Sequence, residues 1–83
     1  MYKVYILYSI TYRKIYIGFT ADIENRMLSH NHLANKGWTV KFRPWALVHT
    51  ENFETKTQAL AREKQLKSAK GREWIYQEII SRL

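Results

Sequence analysis

Aromatic and β-branched residues fill two short runs at the start of the chain. Tyr2–Ser9 (YKVYILYS) predicts one strand and Lys14–Thr20 (KIYIGFT) a second. The residues between them, with polar Thr11 and Arg13, predict a hairpin, although the usual Asn-Gly turn signal is missing. Gly18 sits inside the second strand pattern, where a glycine marks close approach of another backbone or a ligand. Asp22 then suits the N-cap of a helix from Ile23 to about His30. Asn31 to Lys41 reads as a polar, basic loop containing Gly37. Phe42 to Thr50 holds a third strand, with Pro44 near its start or on an edge. Thr55 and Gln58 form the capping-box pattern of a helix running to about Ser68. Gly71 predicts a break. A last helix follows from about Arg72 to the end, with Trp74, Ile75, Ile79 and Leu83 as its apolar positions. The order β-β-α-β-α-α predicts a single α+β domain over residues 1–83, a three-stranded antiparallel sheet flanked by helices.

Composition narrows the partners. Fourteen Lys and Arg against seven Asp and Glu leave a net charge of +7 on 83 residues, a strong field for polyanions and above all for nucleic acid. The absence of cysteine excludes disulfides and thiolate metal sites. The apolar run Val4 to Tyr8 is too short for a signal-peptide core or a membrane span, so a soluble cytoplasmic protein with no membrane association is expected.

Four separated side chains carry the candidate chemistry. A tight hairpin would set Tyr5 opposite Tyr16 and Leu7 opposite Lys14, with both phenols on one face; a one-residue slip would separate them. Strand tyrosines also pack cores while their hydroxyls stay wet. Arg26 and His30 lie four apart on the first helix, beside the apolar Ile23 and Met27. Arg26 at that margin either grips a phosphate through its planar fork or faces solvent on a buried stem. His30 is a proton relay, a phosphate donor or an ordinary surface histidine. Glu63 falls among Ala59, Leu60 and Leu66, in the apolar arc of its helix. An inward acid is costly unless it is paired or metal-bound. It is either the partner of Arg26 or a lysine, or a ligand for magnesium, which needs only one or two carboxylates beside substrate phosphates. Asp22 and Glu24 are explained by capping and the helix dipole. Two phenols, a guanidinium and a carboxylate can activate water, hold a phosphate and bind a hard cation, which makes phosphodiester hydrolysis the first hypothesis.

In this order the positions resemble the GIY-YIG nuclease family, and the resemblance covers nearly the whole chain. Tyr16-Ile17-Gly18 keeps the second motif intact, while Lys3-Val4-Tyr5 keeps the tyrosine of the first but not its glycine. Arg26 and Glu63 are similar to the arginine of the first helix and the glutamate of a later one. The stretch from Lys67 to Ile75 is similar to small stand-alone members. Phe19 stands where some relatives have lysine, and no asparagine follows Asn52. The resemblance implies metal-dependent hydrolysis of DNA, in repair or in processing branched or damaged DNA, with Mg²⁺ or Mn²⁺ on Glu63. Tyr5 would be the base or the last link to one, and Tyr16 would orient water or donate to a phosphate oxygen. Arg26 would stabilise charge on the phosphate, and His30 is similar to the histidine of an Arg-x-x-x-His variant. Either Arg26, the metal and nearby lysines help hold Tyr5 as a phenolate, or His30 accepts the proton of the phenol during attack. The departures keep a second reading open, a non-catalytic nucleic-acid-binding module on the same fold.

Binding residues complete the expectation. The loop around Asn31, His32, Lys36, Trp38 and Lys41 interleaves basic and aromatic side chains. Trp38 either stacks on an exposed base or anchors the loop to the core. Lys14, Gly18, Lys67, Lys70 and Arg72 extend the expected DNA surface. No recognition helix or zinc finger is visible, so contacts should go to phosphates and weaken as salt rises. RNA stays open as a ligand, and a monomer or weak homodimer is expected.

Overall fold

Val4, Tyr5, Ile6 and Leu7 are each no more than 1% exposed. A strand wetted on one face would alternate, so this run requires cover on both sides. It lies in β1 (Tyr2–Ser9), the centre of a three-stranded antiparallel sheet ordered β2-β1-β3, with β2 spanning Lys14–Thr20 and β3 spanning Ala46–Phe53. The computed structural model describes residues 1–33 and 36–83; two positions of the expected 31–41 loop, Ala34 and Asn35, lie outside the described residues.

Alternation divides the strands between two apolar clusters. Val4 and Ile6 of β1 join Ile15 and Ile17 of β2 on one face, under Ala59 and Leu66 of α2 (Lys56–Lys67) and Ile75 of α3 (Ala69–Glu78). Tyr5 and Leu7 face the other way, against Trp45, Tyr16 and Phe42 and against Ile23 and Met27 of α1 (Ile23–Leu28). Among the described residues no helix is long and apolar enough to cross a membrane.

Local signals place the elements. Asp22 accepts from Asn25 N at 3.1 Å, and both halves of the Thr55–Gln58 capping box form. The hairpin closes without Asn-Gly because Arg13 takes a positive φ of 55°. Helix α1 stops at Leu28 and continues as one π-helical turn, Ser29–Leu33. Within the expected 42–50 segment β3 begins only at Ala46, because Phe42 closes a 3₁₀ turn (Trp38–Phe42) and Pro44 has no N–H for a ladder, and it runs on to Phe53.

Three expectations are corrected. Tyr5 pairs with Gly18 and Leu7 with Tyr16, a two-residue difference in register that preserves the face of every side chain. The helix break falls at Ser68, not Gly71. Ser68 is extended (φ −68°, ψ 165°), donates to Gln65 O at 2.6 Å and accepts from Gly71 N at 3.1 Å, capping α3. Leu83 is not a helical core position: α3 ends at Glu78, a 3₁₀ turn spans Ile80–Arg82, and Leu83 is exposed.

Gly71 serves packing. A Cβ there would lie 2.6 Å from Leu66 Cα and closer still to Gln65 O, both of them backbone atoms that cannot swing away. Gly71→Ala should therefore lower stability by about 1–3 kcal/mol through overpacking. An unchanged urea midpoint would overturn this role.

Candidate active site

β1 and β2 set the centre of the site. Tyr5 stands opposite Gly18, and its ring lies across the position a side chain would fill: a Cβ on Gly18 would sit 2.5 Å from Tyr5 Oη and 2.7 Å from Cζ. The close approach read from Gly18 is therefore made by a tyrosine ring. Tyr16, two residues before Gly18 on the same face, has its ring 6.2 Å from that of Tyr5.

The turn after β2 sets Arg26. Thr20 Oγ1 accepts from Asp22 N at 3.0 Å, Asp22 caps α1, and Arg26 N reaches Asp22 O at 3.1 Å. The Arg26 side chain lies one helical turn along and lines a cleft. Glu63 approaches from α2, on the other side of the sheet. Its side chain is 17% exposed and one carboxylate oxygen lies 3.2 Å from Lys67 Nζ, so the ion pair anticipated for it is made within its own helix. Leu60, expected beside it in the apolar arc, is 41% exposed. Tyr5, Tyr16, Gly18, Arg26 and Glu63 all line one cleft of about 410 Å³. Tyr2 and Lys56 also line it, and sequence reasoning missed them.

His30 meets the site from behind. It is only 7% exposed, which removes the surface-histidine alternative, and its Nε2 lies 3.0 Å from Tyr5 Oη. The π-helical turn holds it there. Arg43 donates through Nε to His30 O at 2.6 Å and through Nη2 to Ser29 O at 3.1 Å. Asn31 accepts from Trp45 N at 2.7 Å and donates to Trp45 O at 3.0 Å. These positioning contacts join segments more than ten residues apart, and nothing local in the sequence announces them. A π-helical insertion of this kind often accompanies a functional site.

Burial, then the cations of Arg26 and Arg43, hold the His30 imidazole below its ordinary range. A neutral ring with its proton on Nδ1 lets the Tyr5 hydroxyl donate to Nε2. Burial also pushes the Tyr5 phenol well above its ordinary value, helped by Tyr16 and Glu63 and opposed by Arg26. The phenol is therefore protonated at rest.

The expected binding residues divide into groups. Trp38, Lys67 and Arg72 line a depression that Tyr16 shares. Lys70 lies elsewhere, beside Arg62 and Trp74. Lys36 and Lys41 are exposed, and Lys14 Nζ sits 5.7 Å from the Phe42 ring centre; none of the three lines the cleft. Among the described residues no three His, Cys, Asp or Glu side chains gather as a metal cluster.

The structure is a small α+β domain with a tyrosine-rich cleft where sheet and helices meet. The chain belongs to the GIY-YIG family: the model of the GIY-YIG catalytic domain matches residues 1–77. Nucleases of this family generally use divalent metal ions. The chain is similar to UPF0213 proteins. It is 41% identical over 54 residues to one from Staphylococcus saprophyticus, covering 65% of this chain and 66% of that protein. A Haloquadratum walsbyi protein is also 41% identical over 54 residues, with 65% and 61% covered. One from Natronomonas pharaonis is 37% identical over 65 residues, with 78% and 75% covered. The match thus spans less than two thirds of the first two proteins.

Two predictions test this geometry. Gly18→Ala should cost about 1–3 kcal/mol by forcing the Tyr5 ring aside. In a Tyr5→Leu background that cost should largely vanish, and equal costs in both backgrounds, measured by denaturant melts, would show that the glycine serves only the backbone. His30 has a folded-state pKa below its unfolded value near 6.5. The unfolded chain therefore takes up this proton first, so stability is full above about pH 6.5 and declines as pH falls below it. His30→Gln should flatten that decline, and an unchanged slope would contradict the assignment.

Proposed function

We propose that this protein is a metal-dependent endonuclease that hydrolyses phosphodiester bonds in DNA, bound mainly through its phosphates. The reading rests on one observation: Tyr5, Tyr16, Arg26 and Glu63 line a single cleft. Branched or damaged DNA, a repair role, a cytoplasmic location and a monomer or weak homodimer belong to the same proposal.

The donor set suits magnesium or manganese. Glu63 is the one acid among the described residues lining the cleft, and a hard divalent ion can complete its shell with water and substrate phosphate. Held by Glu63, the ion would offset charge on the phosphate and on the departing oxygen. Arg26 supplies a planar fork for the non-bridging oxygens as charge builds on them. Tyr16 orients the attacking water or donates to a phosphate oxygen. Tyr5 takes a proton from that water as its own passes to His30 Nε2.

Energetics favour this relay over a standing phenolate. At its ordinary pKa a phenol needs about 4 kcal/mol to stay ionised at pH 7, and burial adds to that cost at Tyr5. The 3.0 Å bond to a neutral His30 gives the proton a path while water attacks, so no phenolate accumulates.

A second reading, a non-catalytic nucleic-acid binder, draws support from Phe19. The residue packs against the apolar cluster beneath α2 and supplies no cation where some relatives carry one.

Glu63→Gln should abolish Mg²⁺- or Mn²⁺-dependent cleavage of a labelled DNA panel while leaving DNA affinity in chelator intact. Equal cleavage by variant and parent would refute the assignment of Glu63. Failure of the parent to cleave DNA with either ion would favour the binder.

A further inference from the structure

A second depression adjoins the cleft, with a volume of about 310 Å³ and a lining of Ile15, Tyr16, Ile17, Trp38, Lys67 and Arg72. Tyr16 belongs to both. Trp38 is 46% exposed, yet its ring is held by its neighbours. Phe42 lies 4.7 Å away between ring centres, Trp45 5.7 Å and Tyr16 6.4 Å, the last nearly parallel at 28°. Trp45 is buried, and its indole N–H donates to Thr39 O at 2.8 Å, which fixes the short turn carrying Trp38. The anchoring read from the sequence is made by the packed part of the side chain, and the rest is open. Such a ring has already lost its rotamer freedom, so a ligand can stack on it at little further entropic cost. Lys67 is half-exposed while paired with the Glu63 carboxylate at 3.2 Å, and Arg72 makes no ion pair among the described residues.

We infer that this depression is the subsite for the nucleotide next to the scissile phosphate, with its base flat against Trp38 and its phosphate between Lys67 and Arg72. The inference rests on the nuclease reading above and specifies its substrate class. A base inside a duplex has both faces covered by its neighbours, so only a base that has left the stack can use Trp38. The favoured substrate is a strand with an unpaired nucleotide beside the cleavage point, as in a single strand, a flap or a bulge. Because every base offers a π-face, the preference is for strand structure rather than sequence.

The test measures binding in chelator, where no turnover occurs, using a labelled oligothymidylate and a duplex of equal length. Trp38→Leu keeps an apolar group against Phe42 and Trp45 but removes the aromatic face. It should weaken oligothymidylate binding roughly 5- to 100-fold, the range for stacking one base, while duplex binding stays nearly unchanged. Trp38→Phe should keep most of the single-strand affinity. Equal weakening on both probes, or none on either, overturns the subsite. Trp38→Met gives the same comparison should the leucine variant not fold. Arg72→Gln should reduce the slope of log affinity against log salt by roughly 0.7 on the single strand, and an unaltered slope overturns the phosphate contact. Cleavage of the same probes with Mg²⁺ tests the other reading separately. Trp38-dependent binding without cleavage by the parent protein rejects hydrolysis and leaves the stacking site standing. Cleavage whose strand preference survives Trp38→Leu rejects the stacking site and leaves hydrolysis intact.

Discussion

The contact on which the site depends is the Tyr5 ring lying across Gly18. A fully buried aromatic ring can cross a neighbouring strand only where that strand carries no side chain, and Gly18 is directly opposite in the register. Because the ring is held there, its hydroxyl reaches the cleft and still bonds His30 at 3.0 Å. The glycine of the tyrosine-isoleucine-glycine motif is thus a spatial requirement of a residue in another strand.

Glu63 reaches the same cleft from a helix on the opposite face of the sheet, so the rotation of α2 about its axis matters. Its neighbour Arg62 supplies the lock. Arg62 bonds Glu51 of β3 through Nε at 2.8 Å and Nη2 at 3.0 Å, while its guanidinium lies 5.4 Å from the Trp74 ring of α3. Hydrogen bonds from Arg62 hold the Glu51 carboxyl below its ordinary range, opposed by burial and aided by His49. Successive residues on a helix point about 100° apart. An Arg62 tied toward β3 therefore turns Glu63 toward β2 and the phenols.

Two neighbouring recesses share Tyr16, and their chemistry differs. The cleft holds the acid, the guanidinium and the hydroxyls; the depression beside it holds a fixed indole and two cations. A strand running across Tyr16 would meet charge suited to phosphate in one and an apolar face suited to a base in the other. The net charge of +7 draws such a polyanion in, and the local arrangement governs how it lies.

Most elements were legible in the sequence because their signals are local. Aromatic and β-branched runs predicted β1 and β2 at the bounds they take, and Asp22 and the Thr55–Gln58 pair cap the helices they announced. The ordered tyrosines, Arg26 and Glu63 likewise marked the family to which the chain belongs. Register was another matter, since a two-residue shift leaves every face unchanged and so leaves no trace in the alternation. Gly71 gave a false stop because glycine answers equally to a helix end and to close backbone packing, and only the approach of Leu66 tells them apart. The burial of His30, its support by Arg43 and Asn31, and the aromatic stack around Trp38 depend on residues distant in the chain. Caps and alternation are written between near neighbours and can be read from them; contacts that close long loops exist only once the whole polypeptide has folded.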